Sequence, residues 1–365
     1  MNRSFLYIKF CCFVVLMCVC ISCKKVKTSA EPAEKQVYVN LLHSGTTENL
    51  RAIHFTNTST GFALGAAGSL YKTVNEGLTW TKSTPVVQDT SKTTIDTNMV
   101  YTNMTFVDET NGWIIGTYNA KATATATSAT ARKTALLKTT NGGSTWTNMN
   151  FDTEIKTFQS VAFYDAFNGY VVGNSGLIYR TFDGGKTWIK QNSGVTRTLK
   201  DIAIVSANTA YVVGGYGTLL KTTNGGATWE KLIVPAERAF ATAKYSTTTN
   251  ELFITGGGEG GLSTNADKAF VLKLNSDGSF TDLTNKYYAV FYFYGLAVNN
   301  FGKNLWTVGH LGQIFRSTDG GSTWSEELSK SQREETLYDA FFVSDAVGYF
   351  VGNGGVILKV DLNKE

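Results

Sequence analysis

The residue types best suited to chemistry gather in one phrase. Arg180-Thr-Phe-Asp-Gly-Gly-Lys-Thr-Trp188 joins a basic residue, a carboxylate, hydroxyls and glycines, the set that holds a phosphate or a metal ion. The phrase recurs at 72–80, 138–146, 221–229 and 316–324, and a weaker copy falls after Asn275. A catalytic motif is needed once, whereas a brace is needed in every repeat. Asn replaces Asp at positions 75, 141, 224 and 275, which keeps a turn acceptor and discards the charge. The phrase therefore reads as turn chemistry. The Asn or Asp side chain caps backbone N–H groups, Gly supplies the positive φ of a hairpin, and Thr-Trp starts the return strand. The structural residues expected from it are Asn75, Trp80, Asn141, Trp146, Asp183, Trp188, Asn224, Trp229, Asp319 and Trp324.

Other candidates fare no better as catalysts. Two-carboxylate glycoside hydrolysis needs an acid paired with a base or nucleophile. Asp201, Glu335 and Asp339 supply the residue type, but surface or capping carboxylates explain them as well. His43, His54 and His310 are the only histidines and show no ligand spacing. No Gly-x-Ser-x-Gly nucleophile elbow occurs. Gly65-Ala-Ala-Gly68, Gly173-Asn-Ser-Gly176, Gly214-Gly-Tyr-Gly217 and Gly352-Asn-Gly-Gly355 each join two strands and open no helix, so they are hairpins rather than phosphate loops. We expect no catalytic residue, no metal and no cofactor.

The elements around the phrase form a repeat. One unit runs from Thr157 through four short strands, rich in β-branched and aromatic residues, to Lys190. Trp146, Trp188 and Trp229 follow each other at 42 and 41 residues, the size of a four-stranded propeller blade. The longer step after Trp80 holds an Ala/Thr-rich stretch, 119–134, read as a loop. A degenerate unit lies between Trp229 and Trp324, with Phe280 in the Trp position. The last unit stops before its fourth strand, and residues 37–42 have no unit of their own. The chain is thus expected to be all-β, a seven-bladed β-propeller of four-stranded antiparallel blades. Strand 37–42 closes the last blade against 355–360, since an open edge invites aggregation.

The N-terminus reads differently. Arg3 and Lys9 accompany an apolar run from Phe10 to Ile21, too short for a spanning helix of about 20 residues but suited to a secretory leader. Cys20-Ile-Ser-Cys23 resembles the end of a bacterial lipoprotein signal, which implies lipidation of Cys23. All five Cys lie in this segment, at 11, 12, 18, 20 and 23, so the folded part has no disulfide framework. The domains expected are a signal peptide at 1–22, an anchor and tether at 23–36, and a propeller at 37–365. A lipid-anchored protein of the bacterial cell envelope follows, facing the periplasm or the cell surface. The formal charge of +4 falls to +2 once Arg3 and Lys9 leave, too balanced for a nucleic-acid partner. With 36 Gly and 13% aromatic residues, the composition suits a turn-rich β protein.

The hairpin phrase resembles the Asp-box of bacterial neuraminidase repeats. The longer unit 169–188 is similar to repeats of the photosystem II assembly and stability factor family and its non-photosynthetic relatives. The resemblance covers 37–360 and implies a seven-bladed propeller with Asp-boxes between third and fourth strands. It does not bring a photosynthetic role, since no residue identifies such a complex. Sialidases share Asp-boxes, and their three carboxylate-gripping arginines would have to come from Arg51, Arg197, Arg238 and Arg333. Their Arg-Ile-Pro phrase is missing. A glycan-binding or sialidase-like propeller is the alternative to a non-catalytic scaffold.

A binding surface can be located from the repeats. Aligning the inner strands on Ile53, Met104, Val161, Ile202, Ala243, Leu296 and Ala340 places Arg51, Thr102, Gln159, Lys200, Ala241, Tyr294 and Tyr338 in one position. The residue before it is always apolar, whereas this position varies in charge and size. It is expected at the mouth of the central channel, on the face opposite the Asp-boxes. Asn174, Tyr216, His310, Arg197, Arg238, Lys286, Tyr287, Tyr288 and Arg333 should share that face, as Tyr and Arg recur at interface hot spots. The partner expected is a protein of the envelope, bound by a monomer.

Overall fold

The computed structural model describes residues 37–83, 87–88, 99–119, 132–149, 157–235, 238–258, 268–284, 292–299, 303–328 and 334–363. The expected leader, Cys23 and its tether lie outside the described residues, as do Lys286, Tyr287, Tyr288 and Arg333.

Seven antiparallel sheets form from alternating apolar strands too short to stand alone. Their inner strands are Leu50–Phe55, Met99–Phe106, Phe158–Phe163, Leu199–Ile204, Ala239–Ser246, Phe293–Val298 and Leu337–Phe342, numbered here as blades 1 to 7. Each touches the inner strands of both neighbours, and blade 7 touches blade 1, so the ring closes. Blade 3 shows the plan: Gly169–Gly173, Ile178–Thr181 and Ile189–Gln191 follow its inner strand outward. In blade 7 the outer place is filled from the other end of the chain. Tyr38–Leu42 pairs antiparallel with Ile357–Asp361, with Val39 opposite Val360 and Leu42 opposite Ile357.

Two details depart from the sequence expectation. The insertion in blade 2 is shorter than 119–134, because Gly112–Asn119 and Arg132–Thr139 pair to their ends, Asn119 opposite Arg132. The backbone ladder thus runs on into the stretch whose Ala/Thr composition suggested a loop. Blade 2 also gains a short fifth strand, Val87–Gln88, parallel to Trp146–Asn148.

The core lies in the seams. Leu50, Ile53, Phe55 and Trp80 of blade 1 pack with Tyr349, Val351 and Ile357 of blade 7. Across the next seam but one, Trp113 of blade 2 stacks on Phe163 of blade 3 at 3.6 Å between ring centroids. Each blade therefore buries both faces only because it has two neighbours, the usual reason that such repeats are not stable singly.

Candidate binding site at the channel mouth

The Asp-boxes are braces, and the geometry explains their tolerance of Asn. In blade 3 the Thr181 hydroxyl donates to Asp183 Oδ1 at 2.8 Å and accepts the Gly185 N–H at 2.9 Å. The Thr187 N–H donates to Asp183 Oδ1 at 2.9 Å and its hydroxyl to Oδ2 at 2.6 Å. In blade 4, Asn224 accepts the Thr228 N–H at 3.0 Å and donates through Nδ2 to the Thr228 hydroxyl at 2.8 Å. A hydroxyl both donates and accepts, so it reverses roles and the contact survives the loss of charge. Burial opposes ionisation of Asp183, but the Thr187, Thr181 and Lys186 donors outweigh it and hold the carboxyl at about 2.

The basic residue that opens the phrase does more than the sequence reading assigned to it. It stands directly across from an aromatic residue of the second strand in all seven blades: Phe62 and Lys72, Trp113 and Lys138, Tyr170 and Arg180, Tyr211 and Lys221, Phe253 and Lys273, Trp306 and Arg316, Tyr349 and Lys359. Its cation lies over the ring, for instance 5.2 Å from Phe62 for Lys72 and 5.3 Å from Tyr170 for Arg180. In three blades it then reaches the next box. Lys72 Nζ donates to the Gly142 carbonyl at 2.9 Å, Arg180 donates to the Gly225 carbonyl, and Lys359 pairs with Glu76 at 3.0 Å. A signal was available in five blades, where the basic residue falls ten positions after the aromatic; insertions lengthen that step in blades 2 and 5.

On the opposite face the variable position turns out to be a β-bulge. The register of every inner strand slips at this residue: between Leu50 and Ala52, Tyr101 and Asn103, Phe158 and Ser160, Leu199 and Asp201, Phe240 and Thr242, Phe293 and Gly295, Leu337 and Asp339. A bulge leaves one residue unpaired and re-aims its side chain. The bulged backbone presses on the end of the second strand, where a Cβ on Gly173 would overlap the Thr157 carbonyl. That contact explains why this strand ends in Gly.

Five bulged residues, Arg51, Lys200, Ala241, Tyr294 and Tyr338, line a central cavity of about 270 Å³. The other two are drawn away. Thr102 donates to the Ile115 carbonyl at 3.0 Å, and Gln159 donates through Nε2 to Asn174 Oδ1 at 3.2 Å. Across blades 6, 7 and 1 the bulges form a continuous cluster. Tyr292 packs on Tyr294 at 4.7 Å, Tyr294 meets Tyr338 edge-on at 5.3 Å, and the Arg51 guanidinium lies 4.7 Å from the Tyr338 ring. Burial pushes the Tyr294 hydroxyl up, Tyr338 adds to the shift and Arg51 opposes it.

Hairpin tips flank the mouth. Their backbones bond to the residue before each inner strand, Asn174 N–H to Thr157, Gly215 N–H to Thr198 and His310 N–H to Tyr292. Tyr216 is exposed at its tip with φ of 53°, an unusual conformation for a bulky side chain, and Arg197 stacks on its ring at 4.0 Å. Arg238 lies over Phe270 at 5.0 Å and its carbonyl accepts the Gly217 N–H. Arg51, Arg197 and Arg238 are thus each committed to a different ring, and only Arg51 lines the cavity.

Below the mouth, carboxylates knit blades together. Asp339 Oδ2 accepts the Ile53 N–H at 3.0 Å, joining blade 7 to blade 1, and Oδ1 accepts its neighbour Ala340 N–H at 2.9 Å. Asp201 accepts the Ser160 hydroxyl at 2.8 Å, the Thr242 hydroxyl at 2.6 Å and the Ala243 N–H at 3.1 Å, spanning blades 3, 4 and 5. Of the surface or capping roles expected for them, both take the capping role, and both line the cavity. Burial pushes Asp339 up to about 6, with Lys244 and the two N–H donors opposing and Asp201 adding. Burial, helped by Lys244, lowers His54 to about 3, so its imidazole is neutral near pH 7. Among the described residues no cluster of His, Cys, Asp and Glu could hold a metal ion.

Comparison with known proteins adds the following. The family model described as Photosynthesis system II assembly factor YCF48 matches residues 86–193 and 261–361, more than half of the chain. Photosystem II assembly lipoprotein Ycf48 of Picosynechococcus sp. is 34% identical over 61 residues, 17% of this chain and 18% of that protein. Photosystem II stability/assembly factor HCF136, chloroplastic, of Oryza sativa subsp. japonica is 35% identical over 54 residues, 15% and 13% of the two chains. The match therefore spans less than a fifth of these curated relatives. A solved structure titled "YCF48 bound to D1 peptide" superposes with a TM-score of 0.69 at 18% identity, covering 92% of this chain and 98% of that one. The GH74 enzyme of Niastella koreensis gives 0.67 at 18% identity, over 90% of this chain and 54% of that enzyme. At such identities these structures share the fold alone.

Proposed function

Because the chain belongs to the photosystem II assembly factor YCF48 family, we propose that it is a non-catalytic scaffold whose channel mouth holds a polypeptide segment of a cell-envelope protein. The observation that carries this reading is the arc of bulged residues, Tyr294, Tyr338 and Arg51, with Lys200 across the cavity. Bulges free these side chains from packing duty, and Tyr and Arg are the types that anchor partners. A solved protein of this fold, YCF48 bound to D1 peptide, supports a peptide as occupant. The commitment of Asp201 and Asp339 to backbone and hydroxyl donors supports a scaffold over a glycosidase.

Lipidation of Cys23 completes the proposal. Ile357–Asp361 runs from the hairpin tip Asn353–Gly355 toward the Asp-box face, and Tyr38–Leu42 runs back from there. The propeller's first strand therefore begins on the Asp-box face.

The test compares partner recovery by the wild type and an Arg51→Ala/Lys200→Ala/Tyr294→Ala variant. Hot-spot side chains contribute about 2 kcal/mol each when truncated, so recovery should fall by about thirtyfold or more. Unchanged recovery with a normally folded variant contradicts the assignment of the face.

A further inference from the structure

The seam between blades 4 and 5 lacks something that other seams have. Trp188, Trp229 and Trp324 lie at the seam with the preceding blade: Trp188 in the cluster of Trp113 and Met149, Trp229 edge-on to Tyr170 at 6.0 Å, and Trp324 in the cluster of Phe253 and Leu283. Trp324 Nε1 also donates to the Leu283 carbonyl at 3.0 Å. In blade 5 the hairpin is one residue shorter: Lys273 to Phe280 is seven steps, where Lys221 to Trp229 is eight. Leu274 replaces the hydroxyl residue, Gly278 turns with φ of 86°, and Phe280 takes the place of Trp.

A pocket of about 490 Å³ remains. Its blade 4 wall contains Tyr211 and Leu232, the counterparts of Trp113 and Met149 or of Phe253 and Leu283. Its blade 5 wall contains Tyr245, whose ring lies 6.3 Å from Tyr211 and whose hydroxyl donates to Asn250 at 3.3 Å. Lys221 faces the pocket over the Tyr211 ring, at 5.6 Å. Lys72 and Arg180 spend their cations on the next box's carbonyl, but Lys221 makes no hydrogen bond or ion pair among the described residues. Ile233 stands at the rim, 93% exposed.

We propose that this seam pocket binds an aromatic side chain, an indole above all, presented by a partner polypeptide whose backbone carbonyl meets Lys221. The repeats supply the template: other seams contain an indole and a carbonyl for the cation, and at the seam of blades 5 and 6 the counterpart of the Leu232 carbonyl, that of Leu283, accepts the indole N–H. The pocket lies on the Asp-box side and is a second docking point, separate from the channel mouth.

N-acetyl-tryptophanamide is the probe, titrated against the full chain by saturation-transfer NMR, with N-acetyl-leucinamide as control. Saturable binding of the tryptophan amide alone is expected. Phe280→Trp fills the pocket from within and should lower affinity by about tenfold or more, the loss of one aromatic contact site. Lys221→Gln strands no partner and should weaken binding several-fold, whereas Lys200→Ala at the mouth should leave it unchanged. Absence of saturable binding, equal affinity for both amides, or wild-type affinity in both pocket variants overturns the proposal. The probe needs no natural partner, so failure here leaves the channel-mouth reading standing, and the reverse holds as well.

Discussion

Replacing Asp339 by Asn tests the electrostatics of the channel. Asn keeps an oxygen for the Ile53 N–H, which Asp339 accepts at 3.0 Å, and removes the charge. In the wild type the folded carboxyl titrates at about 6 against 3.8 in a free chain. The folded state thus binds the proton more tightly, and the stability this confers is complete below pH 3.8 and lost as pH rises through 6. The loss amounts to about 3 kcal/mol, at about 1.4 kcal/mol per pH unit. His54 acts in the opposite sense, since its folded value of about 3 lies below 6.5. Its contribution is present above 6.5 and lost as pH falls through 3, about 5 kcal/mol in all. Between pH 4 and 6 the two slopes cancel. The depressed box carboxylates act only below their ordinary value of 3.8, outside this window. Urea midpoints measured at pH 4, 5 and 6 should therefore stay level in the wild type. In Asp339→Asn they should climb with pH, by about 1.4 kcal/mol per unit. His54→Gln should give the reverse slope. A profile in Asp339→Asn as level as that of the wild type would refute the reasoning.

Three further outcomes can be checked by thermal or chemical melting. Deleting 36–42 should destabilise the ring by at least about 3 kcal/mol, from about 1 kcal/mol for each ladder bond lost, while deleting 24–35 should not; equal melting contradicts closure. Asp183→Asn should change stability by less than about 0.5 kcal/mol at pH 7, whereas Asp183→Ala should cost about 2 kcal/mol by stranding the Thr187 and Thr181 donors. Arg180→Ala should cost about 3 kcal/mol or more, since it removes a cation over Tyr170 and leaves the Gly225 and Ala207 carbonyls without their donor.

Sequence pattern reached the blades because their signals are local. A box such as 181–188 closes on itself through side chains two and four residues apart, so the turn can be read without neighbours. Closure by Tyr38–Leu42 was legible for a different reason, a missing strand at one end and a spare strand at the other. What joins one blade to the next was not legible. Lys72 meets Gly142, and Asp339 meets Ile53 across most of the chain length, contacts that no short window contains. The bulge at residues such as Arg51 and Tyr294 was visible only as variability. The sequence position singled out residues that share one bulge, but not that Thr102 and Gln159 are held back by their own hydrogen bonds.

The scaffold reading is tested most directly by photo-crosslinking in living cells. A benzophenone amino acid placed at Tyr338 or Lys200 should give discrete adducts with a polypeptide, each lost when Arg51→Ala and Tyr294→Ala are added. The same probe at Phe182, exposed on the Asp-box side of blade 3, should give none of these adducts. Adducts formed equally from Phe182, or none from the two mouth positions, would contradict the account.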